Sequence, residues 1–204
     1  VATLHNSKIG YTPDLRPSAS LAYLVGALLG DGRIRSLSRT TQVQLRVKDK
    51  EFAQEAQRCF FNVLGEVMSL RWIENRLWDV GVCSKRLGEF LMQPLEFLEE
   101  ELIRYYPEDF LRGFFDAEGY IRYRDNRHRT LAFYNTNPNL IDLIDRLLDS
   151  LGIDGRITHR ERKPYKTKYQ WASYNQPNII RFYEKVGSCI PRKQNALRDA
   201  AILA

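Results

Sequence analysis

One interval organises this chain. Leu24 and Leu111, Gly26 and Gly113, Gly32 and Gly119, Ile34 and Ile121, and Gly65 and Gly152 each stand 87 residues apart, as do the acids Asp31 and Glu118. Five glycine or apolar matches and one acid match at a single offset identify a duplicated unit, which permits a pseudo-two-fold arrangement of two similar halves.

Each copy follows the same course. Ser18 or Ser20 can cap a helix through Leu21, Leu24, Val25, Leu28 and Leu29 that Gly32 ends; Pro107 suits the first turn of the counterpart, which Gly119 ends. A strand pair follows. In TTQVQLRVK, Val43, Leu45 and Val47 alternate with Gln42, Gln44, Arg46 and Lys48, giving one apolar and one polar face. The second copy offers YIRYR, a DNRHR turn and TLAFYN. Helices are expected over EFAQEAQRCFFNVLG and NLIDLIDRLLDSLG, then strands VMSLRWI and RLWDVGV around an Asn75 turn, with GRITHRER and KYQWASY as their counterparts. A closing helix is expected near Lys85 to Phe97 and near Gln176 to Val186, with one more after Pro191. The unit is αββαββα, twice: an α+β fold, with an extended arm over 1–17, a first unit over 18–104 and a second over 105–204. The repeat slips once. The offset of 87 pairs Val43 with Thr130 and Lys48 with Asn135, but the apolar alternation falls on Leu131 and Phe133, one residue later; an insertion in the DNRHR turn accounts for this and leaves the faces of that strand open.

Gly26 and Gly30 share one helical face, and Gly113 and Ala117 are their counterparts. Glycine inside a helix costs about 1 kcal/mol relative to alanine, so two of them call for a compensating close contact, here of each helix with the other. Packed in parallel, the two helices deliver Asp31 and Glu118 together at their carboxyl ends. Electrostatics disfavours acids there, because the helix terminus carries partial negative charge and the carboxylates repel. A divalent ion held by both, with the carbonyls of Gly30 and Ala117, relieves both penalties, and hard oxygen ligands point to Mg2+ or a relative. Such an ion lowers the pKa of a bound water and stabilises charge at a scissile phosphate.

Composition bounds the partners. The net charge of +6 over 204 residues favours a polyanion, nucleic acid first, and 44% apolar residues suffice for a real core. Cys59, Cys83 and Cys189 form no CxxC pair, and His5, His128 and His159 show no metal-ligand spacing, so neither a disulfide framework nor a zinc site is expected and the setting reads as reducing. No apolar run reaches the roughly 18 residues of a membrane span, and VATLHNSKIG lacks a signal-peptide core, so an intracellular place, cytoplasmic or organelle matrix, is expected.

LVGALLGDG and LRGFFDAEG carry glycine third, an acid eighth and glycine ninth, within LAYLVGALLGDGRI and FLRGFFDAEGYI. In this the chain resembles the LAGLIDADG homing endonucleases in their two-motif, single-chain form. The second copy also has Asp116 at the sixth position, where the first has Leu29. The resemblance implies that the motif helices form the interface of two halves, that the eighth-position acids Asp31 and Glu118 bind metal, and that both strands of a long, specific DNA site are cut to a staggered break. It implies Mg2+ as cofactor, with Mn2+ able to substitute and Ca2+ supporting binding without cleavage. It also implies saddle-shaped antiparallel sheets lying on DNA, so that Arg33, Arg35, Gln42, Gln44, Arg46 and Lys48, with Arg71 and Arg76, serve one half, and Arg122, Arg124, Arg160, Arg162, Lys168 and Gln170 the other. Lys48, Asn135 and Lys193 are the candidates for organising water and charge beside the scissile phosphates, and Val47 stands where some relatives have glutamine. The chain neither begins with Cys or Ser nor ends in His-Asn, so an intron-encoded or free-standing enzyme is expected, and a monomer, since the pseudo-dimer is already covalent. The competing reading on the same scaffold is an RNA maturase or a DNA-binding regulator that does not cut.

Overall fold

The structure, a computed structural model, describes residues 12–202 apart from 74, 75, 126, 127, 162, 163 and 165. Its first helix, α1 (Ala19–Asp31), starts where Ser18 Oγ accepts from the Leu21 amide at 3.3 Å, and eight consecutive residues from Leu21 to Leu28 are buried. A helix apolar on every side belongs inside a core. Next come β1 (Gly32–Ser36), β2 (Thr41–Val47), α2 (Lys50–Leu64), β3 (Arg71–Ile73), β4 (Leu77–Cys83), α3 (Lys85–Leu91) and α4 (Leu95–Glu101). A 3-10 turn over Ile103–Tyr105 leads into α5 (Pro107–Glu118), followed by β5 (Gly119–Asp125), β6 (His128–Asn135), α6 (Pro138–Ser150), β7 (Arg156–Arg160), β8 (Lys168–Ser173), α7 (Gln176–Lys185) and α8 (Pro191–Ile202). Two pseudo-symmetric units result, each an αββαββα series followed by one further helix, α4 in the first and α8 in the second.

The sheets share one topology, antiparallel in the orders β1-β2-β4-β3 and β5-β6-β8-β7. α2 buries Phe52, Ala56, Phe60 and Val63 along one stripe, and α6 buries Leu140, Ile144, Leu147 and Leu148, so each covers one face of its sheet. A single apolar core runs through both units, from Leu21 and Phe60 to Phe133, Trp171 and Phe182.

Three expectations need amendment. The helix near Lys85 to Phe97 is two helices, broken at Pro94, whose ring and missing N–H cannot continue α3. Arg76 is not a strand residue; it sits in the turn before β4 at φ 56, in the left-handed region, and the Asn75 turn itself lies outside the described residues. The slip in the repeat is located: Gly32 pairs with Leu45 and Gly119 with Phe133, so β6 follows β2 at an offset of 88. The extra residue is a bulge between Tyr123 and Asp125 at the end of β5. It turns Leu131 and Phe133 inward and makes Asn135 the counterpart of Val47 rather than of Lys48.

Candidate active site and nucleic-acid face

α1 and α5 touch through their backbones. A Cβ on Gly26 would overlap the Phe110 carbonyl oxygen and stand 2.8 Å from the Phe114 nitrogen, while a Cβ on Gly113 would overlap the Tyr23 carbonyl oxygen and stand 3.0 Å from the Ala27 nitrogen. Tyr23 and Ala27 are the repeat counterparts of Phe110 and Phe114, so the contact obeys the pseudo-two-fold. One turn further, a Cβ on Gly30 would collide with that of Ala117 and stand 3.1 Å from Glu118 Cγ. The helices therefore run parallel, and both carboxyl ends, with Asp31 and Glu118, emerge side by side.

Among the described residues neither of these carboxylates has a hydrogen-bond or ion-pair partner. Burial raises the Asp31 pKa above its ordinary value against the pull of Lys193; Glu118 is raised by burial first and then by Asp31, against Lys168 and Lys193. Unpartnered carboxylates that repel each other are the condition a divalent cation relieves. The residues therefore fit a hard cation. No group of three or more His, Cys, Asp or Glu able to hold a metal occurs among the described residues, so main-chain oxygens, water or a phosphate must complete its shell. The cap N–H groups of Gly32 and Gly119 reach back to the Leu28 and Phe115 oxygens, so the carbonyls of Gly30 and Ala117 lie beyond these cap bonds.

A buried polar cluster braces this end of α5. Asp116, 3% exposed, accepts from Tyr23 Oη at 2.7 Å, from Ser188 Oγ and from the Cys189 amide at 3.3 Å. Burial pushes its pKa up while those hydrogen bonds pull it down. Lys193, 6% exposed on α8, donates to the oxygens of Phe115 at 2.6 Å and Asp116 at 3.0 Å. Burial lowers its pKa to about 8. Arg192 beside it ties α8 to Asp49 of the first unit at 2.8 Å.

The sheets each present a polar face. Residues directly opposite one another in a ladder share a face, so Arg33 joins Gln44, Arg35 joins Gln42, and Arg46, Asp79 and Arg71 form one row across three strands. Arg33, Arg35, Arg46 and Arg71 are exposed and Gln42 is half-buried. Gln44 is the correction here: it is 4% exposed, with its amide bonded to Asp79 at 2.5 Å, because the open face of this sheet holds a buried carboxylate. In the second sheet Arg122 and Thr130, Tyr120 and Ala132, and the row Tyr134, Gln170 and Thr158 lie on the matching face, with Arg160 and Lys168 paired at its edge. Lys168 Nζ stands 4.5 Å from the Tyr134 ring, which meets Tyr120 edge-on. Arg124 is exposed within the β5 bulge, and Arg162 lies outside the described residues.

The structure thus gathers Asp31, Glu118, Gly30, Ala117 and Lys193 at one place. Lys48 is exposed just beyond β2, and Asn135 is half-buried at the end of β6, where its Oδ1 accepts from the Asn137 amide at 2.9 Å. Sequence reasoning missed Asp79, Tyr120, Tyr134 and the partners of Asp116. Asp79 alone carried a signal, as an acid inside the otherwise mainly apolar strand RLWDVGV.

Two parallel helices in backbone contact, ending in paired acids and each feeding a four-stranded antiparallel sheet, define a two-unit α+β scaffold with a composite acidic site. Residues 106–187 match the LAGLIDADG-like domain. Among solved structures the chain is similar to mesophilic variants of the homing endonuclease I-DmoI, at TM-score 0.65 and 21% identity over 88% of this chain and 97% of that one. I-DmoI in complex with DNA and Mn matches at TM-score 0.61 and 21% identity over 82% and 96%. Full-length DUF199/WhiA from Thermatoga maritima matches at TM-score 0.61 and 17% identity over 89% and 59%. In sequence the chain is 29% identical to the uncharacterized protein MJ0398 of Methanocaldococcus jannaschii, over 91% of this chain and 72% of that protein. It is 26% identical to a DNA polymerase of Thermococcus litoralis over 86% of this chain and 11% of the polymerase. Residues 106–187 are thus similar to a LAGLIDADG-like domain, and the whole chain shares the fold of the homing endonuclease I-DmoI. No helix is long and apolar enough to cross a membrane among the described residues.

Proposed function

We propose that this chain is a site-specific, divalent-metal-dependent endonuclease that binds a long double-stranded DNA target and hydrolyses one phosphodiester in each strand, leaving a staggered break. The observation that carries the reading is the side-by-side emergence of Asp31 and Glu118 from helices held in backbone contact, neither acid having a protein partner among the described residues. Asp31 and Glu118, with the main-chain oxygens of Gly30 and Ala117, would hold Mg2+, with Mn2+ as substitute and Ca2+ supporting binding only. When bound, the ion supplies an activated water and charge stabilisation at the scissile phosphate. The chain's own residues do the rest. Lys193 keeps a cation against both acids and satisfies the last carbonyls of α5. The exposed Arg33, Arg35, Arg46, Arg71, Arg122, Arg160 and Lys168 supply the positive faces that phosphates and base edges require, and Lys48 and Asn135 lie at the strand ends nearest the helices. In this reading the units are 18–104 and 105–204, the working form is a monomer, and the gene is intron-encoded or free-standing.

The test is a selection from randomised duplex DNA in Ca2+, followed by transfer to Mg2+ or Mn2+. Cleavage of the selected duplex on both strands is expected, and loss of cleavage in Asp31→Asn and Glu118→Gln with binding retained. The same scaffold and basic sheet faces also admit a second reading, a DNA-binding regulator or RNA maturase that does not cut. Tight selection without cleavage by the wild-type chain in either metal favours it.

A further inference from the structure

Asp79 is an anomaly on the basic face of the first sheet: a carboxylate, 2% exposed, where a polyanion is expected to lie. Both of its oxygens are occupied. Oδ1 accepts from Gln44 Nε2 at 2.5 Å and from Arg46 Nε at 3.2 Å, and Oδ2 accepts from Arg71 Nη2 at 2.8 Å. The three residues Arg46, Asp79 and Arg71 stand in register across β2, β4 and β3. The guanidinium side chains are 43% and 50% exposed.

We propose that Asp79 is a specificity-positioning residue, which fixes Arg46 and Arg71 as a paired set of guanidinium forks for purine edges in one half of the DNA site. The inference rests on the DNA-binding reading above. Arg46 reaches Asp79 through Nε and neither of its Nη groups has a protein acceptor among the described residues, so the end of the fork that grips guanine O6 and N7 is uncommitted; Arg71 uses Nη2 on Asp79 and keeps Nη1 and Nε. A free arginine must give up rotamer freedom to read a base; one already clamped has given it up on folding. A structural role alone does not account for the trio. The duplicated sheet places Tyr134, Gln170 and Thr158 at the matching positions, so the fold does not require the carboxylate, and the difference between halves suits an asymmetric target.

The experiment is the same randomised-duplex selection in Ca2+, sequenced for the wild type, Asp79→Asn, Arg46→Ala and Arg71→Ala, with melting followed by circular dichroism. Each variant is expected to lose about tenfold or more of discrimination at one shared short run of base pairs, with the other half of the consensus unchanged. Unaltered discrimination in a folded Asp79→Asn, or a uniform loss of affinity for all sequences, overturns the proposal. Should Asp79→Asn melt below the assay temperature, the two exposed truncations decide: separate or unchanged base pairs sink it. A wild type that selects no consensus instead overturns the DNA reading, and this inference falls with it.

Discussion

Lys193 donates through Nζ to the main-chain oxygen of Phe115 at 2.6 Å, which sets a buried ammonium at the negative end of α5, one turn from Glu118. A cation there offsets the partial charge of the helix terminus and holds down the pKa of both motif acids. Lys193→Met removes that influence, so Asp31 and Glu118 titrate at higher pH. The acid limb of a single-turnover cleavage profile is expected to move upward in this variant; an unmoved limb refutes the electrostatic role.

Metal-free stability carries the same signature. Asp31 and Glu118 have folded-state pKa values raised by burial, so their contribution is fully present below the ordinary carboxylate range and is lost as pH rises through the raised values. In EDTA, Glu118→Gln is therefore expected to melt above the wild type at pH 7, and Asp31→Asn by less, because the Asp31 side chain is exposed and water screens its charge. Adding Mg2+ or Mn2+ should raise the wild-type midpoint and leave the variants in place. Lys193 acts in the opposite sense: with a folded pKa lowered to about 8, it adds stability as pH rises from there toward its ordinary value.

Alanine at Gly26 or Gly113 improves helix propensity by about 1 kcal/mol, yet should destabilise the protein. The new Cβ would overlap a carbonyl oxygen of the partner helix and force α1 and α5 apart. A net loss of roughly 1–3 kcal/mol in urea unfolding is expected, together with reduced cleavage, because the acids move with the helix ends. A stabilised Gly26→Ala would contradict the backbone contact.

Tyr23→Phe deletes the hydroxyl that donates to Asp116 at 2.7 Å inside the core. Removing one of the donors around a buried carboxyl should cost about 1–3 kcal/mol, while Asp116→Ala, which strands Ser188, Tyr23 and the Cys189 amide, should cost more. Chemical denaturation of the two variants against wild type measures both; equal midpoints would falsify the bracing role.

The duplication at 87 residues, the period of two in Val43, Leu45 and Val47, and the small-residue spacing of Gly26 and Gly30 were enough to determine the unit, its repetition and the parallel helix pair with its two acids. These are local or periodic properties, and a chain writes them directly. Which carboxylates have partners is not local. Asp79 meets Gln44 across β2 and β4, Asp116 meets a turn 72 residues onward, and Lys193 reaches back 78 residues to Phe115. Only the tertiary structure decided these, because a buried polar atom takes whatever donor the packed fold brings to it, and sequence distance has no bearing on that encounter.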